Sequence, residues 1–296
     1  MSNDRFLVIV RAGDASCHRA WTRSLGRRTW DLVVSYFGTD PCRYRDDMDR
    51  RVDDKGQKWP GLHALLTRED FWRRYDFVWL PDDDLVVDQA EVDRLFALMS
   101  DLDLDLAQPT LDWNSHFSHA ITLRWPSFSV RFSNFIEIMA PCFKRQFLEI
   151  CVPTFAESLS GWGLDWVWPK LLGNGIRRCA LLDDVAVTHT RPLGGPHYDR
   201  QTAEDEGREI LRRHGVPGTR QTITAAIDRT GRFLHGANPR AVETTGALMR
   251  RDWAEFEAYR KSVPHALLGT RQAPPPLPAL STAELGTIVA ANLPRT

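Results

Sequence analysis

Read for apolar and polar positions alone, the chain is a series of short apolar runs separated by charged or helix-patterned stretches. Residues 6–10 read as a buried strand, 11–16 as a turn, and Ser16 as the cap of a helix reaching about Leu25. Residues 31–37 form a second strand ended by Gly38-Thr39-Asp40, so the chain opens as a βαβ unit. Residues 41–58 are highly charged and read as a surface loop. Residues 60–74 place Leu62, Leu65, Leu66 and Phe71 on one helical side. An apolar run, 75–80, then stops at Pro81-Asp82-Asp83-Asp84. Further strands are predicted over 104–108, 120–124, 135–141, 179–182 and 185–188. Helices are predicted over 143–150, 166–172 (stopped by Gly173-Asn174-Gly175) and 202–214. Residues 222–227 and 231–234 flank Asp228-Arg229-Thr230 as a hairpin, and the pattern after about 240 is helical. There is no internal repeat.

The pattern predicts an α/β fold: an α/β/α sandwich with a mostly parallel central sheet and a small C-terminal helical extension. The main domain is assigned to 1–240 and the extension to 241–296. The extension carries a stiff Pro-rich linker at 273–278 and a short amphipathic helix over 281–292.

The acidic stretch is the centre of the chemical reading. Ligands gather outside the carboxyl ends of strands in open α/β sheets. Three adjacent acids there repel one another unless a cation sits between them. Alternate residues of extended chain share a face, which brings Asp82 and Asp84 together. An all-oxygen site of this kind suits Mg²⁺ or Mn²⁺. The acids are not needed as a helix cap, because Asp88-Gln89-Ala90-Glu91 is a capping box of its own. Solvated loop acids are the competing reading.

Three other places carry polar residues at element ends. Asp165, after Gly161-Trp162-Gly163-Leu164, reads either as a plain N-cap or as a general base. The two glycines would let backbone approach a ligand, and Trp162 could stack on a sugar. His189, in Thr188-His189-Thr190-Arg191-Pro192, is either a structural histidine or the nitrogen ligand completing a carboxylate metal site, with Arg191 suited to a phosphate. Arg11 and Asp14 after the first strand, and Asp40 after the second, are either turn residues or contacts to base and ribose. His116 and His119 are read as hydrogen-bonding residues rather than ligands. Together these places describe a metal-bound diphosphate with a carboxylate across from it. A metal there offsets charge on a departing nucleoside diphosphate while the carboxylate takes a hydroxyl proton.

Composition narrows the classes. Lys+Arg 38 against Asp+Glu 39 gives a net charge of -1, which speaks against nucleic acid as a partner. Five widely spaced cysteines contain no Cys-x-x-Cys pair, so a zinc ribbon or disulfide framework is not indicated. The first apolar run is too short for a signal peptide or a membrane span. A cytoplasmic protein is expected, with peripheral membrane association left open. No Gly-x-Gly-x-x-Gly or P-loop pattern is present. Eleven tryptophans are available for packing or for stacking on sugars and bases.

The order of these motifs resembles glycosyltransferases of the GT-A (Rossmann-like) fold, which carry an Asp-x-Asp motif after a strand. More narrowly, it is similar to the glycosyltransferase-like plant and bacterial family known as domain of unknown function 707. The segments that carry the resemblance are 75–85, Gln108-Pro109-Thr110-Leu111-Asp112, His119-Ala120-Ile121-Thr122, Glu137-Ile138-Met139-Ala140-Pro141-Cys142-Phe143, Gly161-Trp162-Gly163-Leu164-Asp165, 189–195 and the pair Lys58-Trp59. They span roughly residues 5–197. The resemblance implies that Asp82 and Asp84 bind Mn²⁺ or Mg²⁺ and the diphosphate of a UDP- or GDP-sugar, with Asp83 and Lys58 on the donor. It implies His189 as a further metal ligand and, if the reaction inverts, Asp165 as its base; retention or inversion stays open, and the acceptor expected is a glycan or lipid-linked glycan. Pro81 departs from the plant pattern, where a Trp is expected, and 113–135 is shorter than in the plant members. Two rival functions use the same residues: a non-catalytic nucleotide-sugar-binding or scaffold protein, and a metal-dependent phosphoesterase or nucleotidyltransferase.

Overall fold

The computed structural model of the protein describes residues 5–23, 26–46, 48–173, 178–192, 199–270 and 280–292. In chain order the strands are β1 (Phe6–Ala12), β2 (Trp30–Tyr36), β3 (Arg50–Asp53), β4 (Phe77–Trp79), β5 (Leu85–Val86), β6 (Leu106–Leu111), β7 (Phe128–Ser133), β8 (Cys142–Lys144), β9 (Cys179–His189), β10 (Ile223–Asp228) and β11 (Phe233–His235). The helices are α1 (Lys58–Arg68), α2 (Gln89–Asp101), α3 (Arg145–Cys151), α4 (Leu164–Leu171), α5 (Arg200–Arg213), α6 (Pro239–Ser262) and α7 (Thr282–Asn292).

Strand β1 shows how the sheet is buried. Val8 and Val10 enter one apolar cluster, and Leu7 and Ile9 enter another on the opposite face. Phe77 and Trp79 against Val78 repeat the split in β4. Successive strand residues face opposite ways, so a run apolar throughout needs a cover on both sides. Leu95, Phe96, Leu98 and Met99 of α2 cover the first face, joined by Leu285 and Val289 of α7. Leu62, Leu65 and Leu66 of α1, with Leu164, Val167 and Trp168 of α4, cover the second.

The fold is α/β as expected, but the sheet is mixed rather than mostly parallel. Its order is β11-β10-β7-β9-β6-β8-β4-β1-β2-β3, with β5 pairing to β9 off this path. The run β4-β1-β2-β3 is parallel. Past it, β8 lies antiparallel between β4 and β6, and β7, β10 and β11 add antiparallel pairs. Strands β6 and β9 are also parallel. Parallel pairs need long crossovers, which the chain supplies between β1, β2 and β4, whereas antiparallel neighbours can be joined by tight turns. The hairpin at Asp228-Arg229-Thr230 is one of them, closed on the Asp228 carboxylate by the Thr230 and Arg232 amides.

Several expected boundaries move for local reasons. The charged stretch 41–58 contains β3, an Arg- and Asp-bearing strand at the sheet edge, where charge opposes pairing with another chain. The helix expected after Ser16 is one 3₁₀ turn, His18–Thr22, and Ser16 Oγ lies 2.7 Å from His18 Nδ1 instead of capping it. The segment 120–124 is a 3₁₀ turn, Ala120–Thr122, and not a strand. Residues 135–141 are irregular, because their amides find partners outside any ladder. Phe135 N–H donates to Ser133 Oγ at 3.1 Å and Glu137 N–H to Gln108 Oε1 at 2.5 Å. The two short strands expected at 179–188 are the single strand β9, paired with β6 across a bulge at Pro109/Thr110. Residues 24–25, 174–177, 193–198 and the 273–278 linker lie outside the described residues.

An ion pair inside the sheet fixes the segment that follows β6. Arg131 of β7 donates from Nε and Nη2 to the two oxygens of Asp183 in β9, at 2.7 and 2.9 Å, and both side chains are fully buried. Arg131 also donates to the Ile121 and Leu123 carbonyls at 2.7 and 2.9 Å, and Asp183 accepts the Trp125 amide at 2.8 Å. Every polar atom of the pair is therefore committed, which is the condition for a buried pair to be tolerated. Arg131→Met strands the Asp183 charge, and guanidinium unfolding should show a loss of about 3–5 kcal/mol. Arg131→Met with Asp183→Leu should recover part of that loss.

Candidate functional site

The three acids follow β4 at the carboxyl end of the parallel strands, and each finds a different partner. Asp82 accepts Lys58 Nζ at 2.6 Å; the same ammonium reaches the Ile138 carbonyl at 2.8 Å. Lys58 opens α1, and Trp59 beside it packs edge-on against Phe155 and Trp168. Asp83 accepts the Gly13 amide at 2.8 Å and Arg191 Nη1 at 3.2 Å. Asp83 and Asp84 lie in a turn, not in extended chain. Asp84 faces His189, with Oδ2 3.2 Å from Nε2.

Strand register explains the last contact. Strand β5 pairs antiparallel with the end of β9, with Leu85 opposite His189. Thr190 N–H and Oγ1 both donate to the Asp84 carbonyl, at 3.1 and 2.8 Å. His189 Nδ1 donates to the His116 carbonyl at 2.8 Å, which leaves Nε2 turned to the carboxylate. A neutral ring would there oppose a lone pair to a negative oxygen, so this nitrogen calls for a proton or a cation. Burial pushes the His189 pKa down, but the Asp84 carboxylate outweighs it and raises the value to about 9. A histidine whose second nitrogen is fixed by a backbone carbonyl is the usual arrangement for a metal ligand.

The donor set fits a hard divalent ion. Asp84 Oδ1 is buried and accepts no hydrogen bond. Among the described residues, no three His, Cys, Asp or Glu side chains close around one point. Mg²⁺ and Mn²⁺ sites commonly take one or two protein ligands and complete their shell with substrate phosphates and water. Asp84 and His189 would be those ligands, with Asp82 beside them on Lys58.

Asp165 stands in the first turn of α4, but the N-cap is Gly163, with φ +93°. The cap reading of Asp165 is thus displaced by one glycine's left-handed geometry. A Cβ at Gly163 would lie 3.0 Å from the Gly207 carbonyl of α5; one at Gly161 would lie 2.1 Å from Trp59 Nε1. The turn before them is held by Glu206 of α5, which accepts the Leu159 and Ser160 amides at 2.6 and 2.9 Å. Trp162 is half-buried against Gly207. The Asp165 carboxyl is 8% exposed, and its Oδ1 has no partner. Burial, then the charge of Glu137, push its pKa up to about 8.

Glu137 is the site residue that sequence reasoning missed. It is 6% exposed, its Oε2 has no partner, and burial raises its pKa to about 7 while His189 pulls the other way. The Thr122 hydroxyl also reaches it. Its electrostatic neighbours (His189, Asp82, Lys58 and Asp165) place it amid the acids. The available signal was one acid inside the apolar run Phe135-Ile136-Glu137-Ile138-Met139.

Of the remaining predicted residues, Arg191 borders this cluster, and Arg11, Asp14 and Asp40 are committed to nearby turns. Arg11 is buried, with Nη1 on Ser35 Oγ at 2.9 Å and Nη2 on the Gly56 carbonyl at 2.6 Å; burial lowers its pKa. Asp14 accepts the Tyr36 hydroxyl, the Thr39 amide and Thr39 Oγ1, which hold it well below the usual carboxylate range. Asp40 accepts the Cys42 amide at 2.9 Å. These three organise the turns after β1 and β2. Arg191, besides Asp83, donates to the Ala15 carbonyl at 2.5 Å. His119 Nδ1 lies 2.9 Å from Gln221 Nε2.

Two buried acids with raised pKa values make stability depend on pH in a definite direction. Between pH 4 and 8 the unfolded chain gives up these protons first, while the fold holds them. Stability is therefore full at low pH and lost as pH rises through about 7 to 8. Urea midpoints without divalent ions should fall from pH 5.5 to 8.5, by roughly 3 kcal/mol or more in stability. Asp165→Asn should flatten the slope.

Residues 58–133 match a family model described as "Protein of unknown function (DUF707)", which bears out over that stretch the resemblance read from the acidic strand. No curated protein matches the chain. Among solved structures the chain is similar to S. aureus TarS 1-349 in complex with UDP-GlcNAc, at 13% identity and a TM-score of 0.48, over 72% of this chain and 66% of that one. The same TarS fragment without ligand gives 13% identity and 0.49, over 72% and 64%. The chain thus spans just under two thirds of the fragment's length. No helix among the described residues is long and apolar enough to cross a membrane.

Proposed function

We propose that the protein is a metal-dependent glycosyltransferase that moves a sugar from a nucleotide-sugar donor, a UDP- or GDP-sugar, to a glycan or lipid-linked glycan acceptor. One observation carries the reading. Three buried carboxylate oxygens without hydrogen-bond donors, on Asp84, Glu137 and Asp165, belong to one cluster at the carboxyl end of the parallel strands. Unpartnered buried acid oxygens are costly unless a cation or a ligand's hydroxyl groups meet them.

In this reading Asp84 and His189 hold Mn²⁺ or Mg²⁺, and Asp82 meets the ribose or a metal-bound water. When bound, the ion neutralises charge on the departing nucleoside diphosphate. Arg191, already beside Asp83, offers a guanidinium to a phosphate. Asp83 and Lys58 complete the proposed donor contacts, and Arg11, Asp14 and Asp40 hold the turns after β1 and β2. Asp165 accepts the proton of the attacking hydroxyl. A carboxylate that titrates near neutrality is a stronger base than an ordinary one and still ionises at working pH. Glu137 tunes it by charge, since each neighbouring negative charge favours the protonated form.

Titration calorimetry with UDP- and GDP-sugars, with and without Mn²⁺, tests the reading: binding should need the metal and be lost in Asp84→Asn. Asp165→Asn should keep donor binding and lose transfer about 10²–10⁴-fold. The acid limb of the rate profile should follow Asp165, and Glu137→Gln, which removes a neighbouring negative charge, should shift it to lower pH. Metal-independent behaviour, or phosphodiester hydrolysis without sugar transfer, would sink the proposal.

A further inference from the structure

Helix α6 borders an open groove of about 480 Å³, within the roughly 300–1,000 Å³ usual for small-ligand sites. It lies between α6, strands β10 and β11, and the 120–125 turn. None of the acids lines it. Its walls combine the Trp253 indole and apolar side chains, among them Ile121, Leu234 and Met249, with four hydrogen-bonding side chains, Arg220, Gln221, Thr222 and Thr245; the Trp125 indole beneath is buried.

Each half of this lining is unusual for a passive crevice. The indoles lie at 24° with centroids 6.3 Å apart, and Arg131 backs Trp125 at 5.6 Å. Trp253 is 36% exposed, although its helix buries Phe256 and Asp252 nearby. Asp252 fixes that turn of α6 by accepting the Ser127 amide at 2.8 Å, so the indole is presented from a held backbone. Gln221 uses its amide nitrogen on His119, whereas the side chains of Arg220, Thr222 and Thr245 form no hydrogen bond among the described residues.

We infer that this groove binds a carbohydrate chain, the acceptor of the transfer proposed above, on which identification as an acceptor site depends. A pyranose has a C–H face that packs on the electron-rich face of an indole and an equatorial rim of hydroxyls. The groove offers matching partners for both. An acyl chain would cover Trp253 and the apolar lining but desolvate the polar side chains of Arg220, Thr222 and Thr245 without replacing their hydrogen bonds to water. The groove also adjoins the acids through one short segment. Ala120 and Ile121 line it, Thr122 meets Glu137, and the His119 ring packs at 4.6 Å on Phe135, two residues before Glu137. The segment that lines the groove thus leads directly to the acid cluster.

The test titrates the protein with maltohexaose, cellohexaose, chitohexaose and hexagalacturonate, following tryptophan fluorescence and saturation transfer to the sugar protons. At least one should bind, and Trp253→Ala should weaken it about tenfold or more. Gln221→Ala, which leaves the indoles in place, should weaken it by a smaller factor and guards against misfolding of the first variant. UDP with Mn²⁺ is titrated into the same samples. Oligosaccharide binding that persists where the nucleotide fails to bind keeps the groove and removes the transferase reading. Binding of none of the four, or binding that both variants leave unchanged, overturns the inference. So does a Trp253-dependent response to decanoate alone, which assigns the groove to an acyl chain.

Discussion

Negative charge held away from water, with too few donors to meet it, is the constraint around which the structure is arranged. Asp82, Asp83, Asp84, Glu137 and Asp165 are drawn together by strands and turns that have their own reasons to be where they are. The first three are each partly answered by a cation from a different element: Asp82 by Lys58 from α1, Asp83 by Arg191 from the segment after β9, and Asp84 by His189 from the end of β9. Three oxygens are left unanswered. A fold that only needed stability would fill those places with apolar side chains of similar size. Keeping them open costs free energy, which the two flanking cores supply.

Much of the scaffold exists to hold the acids in register. Trp59 leaves no room for a side chain at Gly161, Gly163 adopts a left-handed conformation that starts α4, and Glu206 ties down the intervening turn from α5. On the opposite side, Tyr259 and Arg260 of α6 donate to Asn114 Oδ1 and to the Trp113 and Ser115 carbonyls. His116, next in the chain, holds His189 in its tautomer. Helix α6 is thus two contacts from the histidine that faces Asp84.

The acidic motif, its histidine partner and the α/β class were legible because each rests on a local pattern. An apolar run that ends in acids reads the same way wherever it stands, and the capping box at Asp88 is present as expected. What escaped was set by contacts distant in sequence. Glu137 looked like part of a strand because its neighbours are apolar, and only the Gln108 side chain, 29 residues earlier, explains its irregular backbone. Strand β3 was hidden by its charges, which an edge tolerates and a central strand does not. Arg11 looked free to meet a nucleotide, but Ser35 and Gly56 occupy its guanidinium. The groove under α6 could not be read from any window of sequence, since its walls come from four segments of the chain.

The three-residue strand β8 has a consequence for how the chain assembles. It is the only bridge recorded between β4 and β6 in the described sheet, and it is made after both. Until residue 144 has left the ribosome, the parallel strands and the strands that follow cannot form one sheet. The joining contacts span long stretches of sequence, so they come at a high cost in chain entropy. A nascent chain halted before that point would display β4 as an open sheet edge, able to pair with another copy.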